Sequence, residues 1–239
     1  ASEYGFLLDE NRRGEVLVAV EAKVEDDFDW SLLGYAFPRK WKGPEVPVFT
    51  GIERRPTPEG FVQFGAELAT AGSVAMYHVV GVTPEAPTVE AAFGGNPVKA
   101  EVTITQDDLD CVREMFRGDP GPIEFAMLGC PHLSIRQVGE IAQLCDGKRF
   151  AVDTWILVSS LTLDLAERMG YLSAIRRAGG HVIADTCMDI PGIWDYYYNK
   201  PGVTESQKCA FYCQVYGQRF AVRPLAQAIQ AALAGEVVA

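Results

Sequence analysis

Beyond Lys99 the sequence alternates short β-branched apolar runs with capped helical segments, and this alternation narrows the possible folds more than any other feature. Residues 100–104 read as a strand that leads through Thr105, a helix N-cap residue type, into a helix over 107–116. Residues 123–128 form a short apolar strand, broken by Gly129-Cys130-Pro131-His132. Ser134-Ile135-Arg136-Gln137 has the spacing of a capping box, in which serine and glutamine side chains satisfy each other's backbone N–H, and it opens a helix to about Leu144. A strand at 149–152, a polar corner over 154–160 and a helix over 161–169 follow. A second short helix runs to Arg177 and stops at Gly179-Gly180. His181 to Ala184 is a further strand ending in Asp185-Thr186-Cys187, and an alanine-rich helix over 224–234 closes the pattern. Such strand–helix alternation predicts βαβ units, an α/β fold with a largely parallel sheet.

The preceding part is less regular. Residues 15–21 read as a strand, whereas 25–60 are polar and carry Pro38, Pro44, Pro47, Pro56 and Pro58, the composition of a long surface connection and the best internal boundary. Glu25-Asp26-Asp27 reads as a solvated acidic cluster. A helix over 60–71, with Phe61, Phe64, Leu68 and Ala69 as apolar positions, runs into a strand over 73–80. The expected division is a mixed α/β segment over 1–98 and an α/β domain over 99–239. With 48% hydrophobic and 22% charged residues the chain can build a packed core. Its net charge of −11 argues against a nucleic-acid binder, which needs a basic surface to displace counterions. No apolar run has the length of a bilayer-spanning helix and no basic-then-apolar leader opens the sequence, so no membrane partner and a cytoplasmic protein are expected.

In open α/β sheets ligands bind outside the carboxyl ends of the strands. The corners at 129–132, 154–160 and 185–187 take that position, and a parallel sheet would gather them along one edge, bringing Cys130 to Cys187 across 57 positions. Two thiolates there suggest a soft-metal site for iron or an iron–sulfur cluster. The plain alternative is two small core residues at strand ends; a nucleophilic cysteine with His132 as base is a third reading, weakened because the two lie on one short loop. The six cysteines show no CxxC spacing, so neither a disulfide framework nor a zinc knuckle is indicated. Cys209 and Cys213 would share one helix face as buried thiols. His78 in an apolar strand and His181 at a strand start are read as core and structural histidines, although Glu85 lies just past the His78 strand. Lys208, set among apolar residues, could bind a carboxylate or snorkel to water. Phe93-Gly94-Gly95-Asn96 lacks the spacing of a nucleotide-binding loop.

Four ordered segments carry a family resemblance: Tyr4-Gly5-Phe6-Leu7-Leu8-Asp9-Glu10-Asn11-Arg12, His78-Val79-Val80-Gly81-Val82-Thr83-Pro84-Glu85-Ala86, Gly129-Cys130-Pro131-His132-Leu133-Ser134 and Asp185-Thr186-Cys187-Met188. Together they resemble the aconitase X family over nearly the whole chain. The resemblance implies an aconitase-like α/β fold and a hydro-lyase whose relatives dehydrate cis-3-hydroxy-L-proline or mevalonate 5-phosphate with iron, as a 2Fe–2S or 4Fe–4S iron–sulfur cluster or as mononuclear iron. It makes Cys130 and Cys187 metal ligands, with the third ligand in an N-terminal portion of the large subunit and a small swivelling domain or subunit as partner. Lys208 and His132 are then the expected catalytic residues, and His78, Glu85, Ser134, Ser159, Ser160, Thr186 and Ser206 the expected contacts to a small hydroxy acid substrate. Glu205 departs from the family's usual asparagine, while Ser206, Lys208 and Tyr212 are kept; Trp194-Asp195-Tyr196-Tyr197-Tyr198 matches no family pattern. The acidic composition, without dense lysine–glutamate networks, and the scarcity of arginine near the cysteines favour cis-3-hydroxy-L-proline, giving Δ1-pyrroline-2-carboxylate. Mevalonate 5-phosphate and a non-catalytic scaffold subunit are the alternatives. The start at Ala1, without methionine, fits the later part of a larger catalytic subunit working beside partner chains.

Overall fold

The computed structural model describes residues 5–238, so Tyr4 of the first family segment lies outside the described residues, as does the side chain of Trp194. The chain divides into two compact units, Ala1–Val112 and Arg113–Ala239.

The first unit contains β1 (Val16–Val20), α1 (Asp27–Lys40), β2 (Pro47–Thr50), α2 (Pro58–Gly72), β3 (His78–Val79), α3 (Val89–Phe93), β4 (Ala100–Ile104) and most of α4 (Gln106–Met115). Its sheet has the order β3-β2-β1-β4 with every pair parallel. Alternate residues of β1, Val16, Val18 and Val20, face the core. β4 pairs with β1 in register from Val16↔Ala100, so it belongs to this unit and not to the second, as the division after residue 98 had it.

The surface connection expected over 25–60 is instead a helix and a strand of the core. Asp26 caps α1 by accepting the Asp29 N–H, and Asp27 Oδ2 accepts the hydroxyl of Thr57, the α2 N-cap, so the acidic cluster builds helix ends. Trp30, Leu32, Leu33 and Phe37 are buried along α1. Pro47, the first residue of β2, and Pro58, at the start of α2, sit where a missing N–H costs little, whereas Pro38 lies inside α1 near its C-terminal end. Edge-on aromatic contacts join Trp30 to Phe64 (5.3 Å) and Phe37 and Phe64 to Phe49 (both 5.1 Å). The strand expected over 73–80 shortens to β3, because Ser73 closes α2 in the left-handed conformation (φ 54°).

The second unit holds β5 (Gly121–Pro122), β6 (Phe125–Leu133), α5 (Ile135–Cys145), β7 (Asp153–Val158), α6 (Ser160–Arg168), α7 (Tyr171–Arg177), β8 (His181–Ala184), α8 (Pro191–Tyr196), β9 (Pro201–Thr204), α9 (Gln207–Cys213), β10 (Arg219–Val222), α10 (Leu225–Ala234) and β11 (Glu236–Val237). Five strands form a parallel sheet ordered β10-β9-β6-β7-β8, and β5 pairs antiparallel with β11. Val138, Ile141, Leu172, Ile175 and Ile229 from the helices pack with Leu128, Ile156, Val158 and Val203 from the strands. Two expectations change. The polar corner over 154–160 is mostly strand, since Trp155-Ile156-Leu157-Val158 form β7 and only Ser159-Ser160 turn, and 149–152 precede that strand. β9 and β10 are additional strands on the far side of β6. Both units are thus α/β with parallel sheets. Among the described residues no helix is long and apolar enough to cross a membrane.

Candidate active site

In the five-stranded sheet the chain runs from β6 outward through β7 to β8, then returns to the other flank of β6 with β9 and β10. The strand order therefore reverses between β6 and β9, the place where open α/β sheets bind ligands, beyond the carboxyl ends. The expected residues of this unit collect along that edge. Cys130 and His132 lie in the irregular end of β6, where pairing with β7 breaks between Leu128 and Leu133. Ser134 follows β6, Ser159 and Ser160 follow β7, Thr186 and Cys187 follow β8, and Ser206 and Lys208 follow β9.

Glycine at 129 lets β6 come this close to β7: its φ is +108°, and a Cβ there would lie 2.3 Å from the Leu157 carbonyl oxygen. The exposed His132 donates from Nε2 to the Thr186 carbonyl at 2.7 Å, tying the cysteine corner of β6 to that of β8 across the intervening strand. A neutral ring bonded this way carries its lone pair on Nδ1. The Ser160 N–H donates to Asp185 (2.9 Å), so all three corners are linked. Cys187 is exposed, its sulfur accepting the Asp189 N–H, and neighbouring Met188 is buried with its sulfur 3.1 Å from Cys209 of α9.

The serines are engaged locally. Ser134 caps α5 in the full capping box, Ser159 caps α6, and Ser206 caps α9 by accepting the Cys209 N–H at 3.1 Å. Next to them sits a residue without an expected role. Glu205 is buried at the switch point and its Oε1 accepts the Gly129 N–H at 2.7 Å. Burial pushes its carboxyl up to about 7, against the opposing pull of hydrogen bonds from the backbone at Gly129 and Cys130. Cys209 is held well above its ordinary value by its hydrogen bond with Cys213, by burial, and by Cys213 and Cys130 nearby, so it remains a neutral thiol. Sequence reasoning placed Cys209 on a helix face but missed the burial of Glu205.

None of the six cysteines is in a disulfide. Cys130 and Cys187 are the accessible pair of this edge, and thiolates there suit a soft metal. Among the described residues no group of three cysteine, histidine, aspartate or glutamate side chains could hold a metal by itself. Two thiols are softer donors than carboxylates and are compatible with part of a soft-metal donor set.

His78 and Glu85 come together in the first unit. They line a cavity of about 310 Å³ with Asp9, Arg12, Arg13 and Gly94. The Arg12 Nε donates to both Glu85 oxygens at 2.9 Å, which holds the Glu85 carboxyl below its usual range and raises Arg12. Buried His78 donates from Nε2 to the Arg12 carbonyl (2.6 Å), and its Nδ1 has no partner among the described residues. The plain core reading of His78 misses this contact between the first two family segments.

Residues 14–114 match the family model for the aconitase X second domain, and residues 123–234 the model for its third domain. The phosphomevalonate dehydratase large subunit of Thermococcus kodakarensis is 39% identical over 223 residues, covering 92% of this chain and 55% of that protein. The cis-3-hydroxy-L-proline dehydratase of Pseudomonas aeruginosa is 33% identical over 245 residues, covering 97% and 41%. The holo-form crystal structure of aconitase X from Thermococcus kodakaraensis superposes with a TM-score of 0.85 at 35% identity, covering 96% of this chain and 58% of that one. The chain spans about half the length of the curated relatives it matches.

Proposed function

This chain belongs to the aconitase X family, and from that premise we propose that its two units are the second and third domains of a hydro-lyase that removes water across a C–C bond adjacent to a carboxylate. The observation that carries the reading is the hydrogen bond from His132 to the Thr186 carbonyl, which brings the Cys130 and Cys187 corners to one sheet edge. Cys130 and Cys187 would hold an iron–sulfur cluster, 2Fe–2S or 4Fe–4S, or a single iron, with the third ligand from an N-terminal portion of the large subunit. Bound there, the iron would supply a Lewis acid for the departing hydroxyl.

The chain's own side chains supply the rest. Lys208, in the first turn of α9, offers a point charge to the substrate carboxylate. His132 is exposed, and its Nδ1 lone pair is the proton acceptor and donor we assign to this edge. Ser160 and Thr186 offer hydroxyls beside it, while the capping serines Ser134, Ser159 and Ser206 orient the helices that bear the site. A small swivelling subunit completes the assembly, and a cytoplasmic location accords with this soluble small-molecule chemistry.

We take the substrate to be cis-3-hydroxy-L-proline, converted by loss of water and tautomerisation to Δ1-pyrroline-2-carboxylate. Among the second-unit site residues Lys208 is the one cationic side chain and none is an arginine, a set suited to a carboxylate rather than a phosphate. Mevalonate 5-phosphate is the second reading, favoured by the 39% identity to the archaeal dehydratase subunit. The test is to purify the full-length large subunit with its small partner anaerobically and offer both compounds side by side. Turnover of the hydroxyproline, abolished by Cys130→Ser and Cys187→Ser together with iron loss, is expected. Turnover of the phosphomevalonate alone transfers the substrate assignment, and an iron-free complex inert to both marks a scaffold and overturns the hydro-lyase reading.

A further inference from the structure

Glu205 directly follows the last residue of β9 and is the only buried acidic side chain of the second unit among the described residues, at 5% exposure. A carboxylate in such a place must be hydrogen-bonded, and its partners are specific: Oε1 takes the Gly129 N–H, and the Cys130 N–H bonds the same carboxylate. The need for those bonds lies in the sheet. On one flank β6 pairs with β7 up to Leu128↔Ile156 and regains register only at Leu133↔Val158. On the other flank it pairs with β9 only at Phe125 and Ala126. The N–H groups of Gly129 and Cys130 therefore fall where the ladder is interrupted on both sides, and in buried surroundings an N–H without an acceptor is costly.

We infer that Glu205 is a positioning residue: its carboxylate replaces the missing strand partner of Gly129 and Cys130 and fixes the Cys130 thiol at the crevice in the orientation that ligates iron. The inference rests on Cys130 being a ligand. It concerns an acceptor reaching two N–H groups, so a neutral side chain of the same length serves equally well and a shorter one does not.

The test uses the anaerobically purified complex of full-length large subunit and small partner, with iron content, the electron paramagnetic resonance signature of the reduced complex and amide exchange of residues 129 and 130 as readouts. In Glu205→Ala, the iron retained falls at least fivefold, the spectroscopic signature shifts or vanishes, and the two amides exchange at least tenfold faster, while amides of α5 keep their protection. Glu205→Gln restores iron and protection to within twofold of wild type. Glu205→Asp, shorter by one methylene, behaves as the alanine variant and decides the matter if the alanine variant does not fold. Wild-type iron and wild-type protection in Glu205→Ala or Glu205→Asp overturn the inference, as does a glutamine variant as defective as alanine. Cys130→Ser separates the two layers. If it retains full iron, the ligand assignment falls and this inference with it; if it loses iron while Glu205→Ala keeps it, the positioning role alone is overturned.

Discussion

Replacing Gly129 by alanine perturbs the tightest backbone approach at the crevice, and its cost can be worked from the geometry. The residue has φ +108°, and the new Cβ would sit 2.3 Å from the Leu157 oxygen and 3.0 Å from its carbonyl carbon. Leu157 pairs with Ile183 of β8, so its backbone cannot retreat without straining that ladder. A non-glycine residue held in such a conformation costs about 1–3 kcal/mol. Forcing an extra methyl into a packed site adds roughly 1–3 kcal/mol. The sum, about 2–6 kcal/mol, is a large part of the ~5–15 kcal/mol typical of a domain. Gly147→Ala is the internal control, because Gly147 has φ +69° with nothing within 4 Å of its Cβ, so only the backbone component, about 1 kcal/mol, remains. Urea unfolding followed by circular dichroism measures both. A loss under about 1 kcal/mol for Gly129→Ala at unchanged m, or a loss no larger than that of Gly147→Ala, refutes the steric argument.

Other expectations follow from the same contacts. Ser134→Ala removes the capping box at the start of α5 and should cost about 1 kcal/mol, read as a lower urea midpoint; no change would mean that the exposed N–H groups are satisfied by water. Buried Tyr197, which takes a hydrogen bond from Trp155 and donates one to Asp153, is pushed up to about 12, chiefly by burial. Between pH 10 and 12 the folded state keeps a proton that the unfolded chain has lost, so this tyrosine's stabilisation is intact below pH 10 and declines as pH rises through 12. Between pH 9 and 11 the wild type should lose roughly 1.3 kcal/mol more than Tyr197→Phe, and equal losses would contradict the burial argument. Glu85→Gln breaks a partly exposed bidentate pair with Arg12 and should cost only about 0.5–1 kcal/mol, less at high salt, in thermal melts. Cys187→Ser should lower iron per complex severalfold, whereas Cys145→Ser, buried in the core far along α5 from its cap, should leave iron unchanged and cost only packing.

Elements announced by local chemistry were legible: the capping box at Ser134, the glycine stop at Gly179 and the short β-branched runs gave α5, α7, β4 and β8 close to their true limits. The strand ends that gather Cys130, His132, Thr186 and Cys187 followed from the parallel sheet alone. What failed was local propensity overruled by packing. β9 starts Pro201-Gly202, two residues that disfavour strands, yet a Cβ at 202 would lie 2.5 Å from the Phe125 ring, so the glycine marks a close approach and not a turn. α1 is buried on most of its residues and so lacks the one-sided pattern of a surface helix, and Pro38 inside it with Pro47 and Pro58 at the starts of β2 and α2 gives the composition of coil. Glu205 was visible only as a departure from a family pattern. Its acceptor role depends on an interrupted ladder in β6, a strand 76 positions away, which no reading of neighbouring residues reveals.

The separation of Cys130 and Cys187 on strands that are not neighbours has a consequence for the order of assembly. Ligands within one loop meet in an unfolded chain, so a metal can nucleate their fold. Here β7 lies between β6 and β8, and the two cysteine corners come to one edge only when three parallel strands, with their crossover helices, have closed into a sheet. Long-range parallel pairing is slow to form because the chain entropy of each crossover is lost before its contacts are gained. On the proposed ligand assignment metal loading follows folding, and a chelator acting on the finished protein should remove iron while the sheet stays closed.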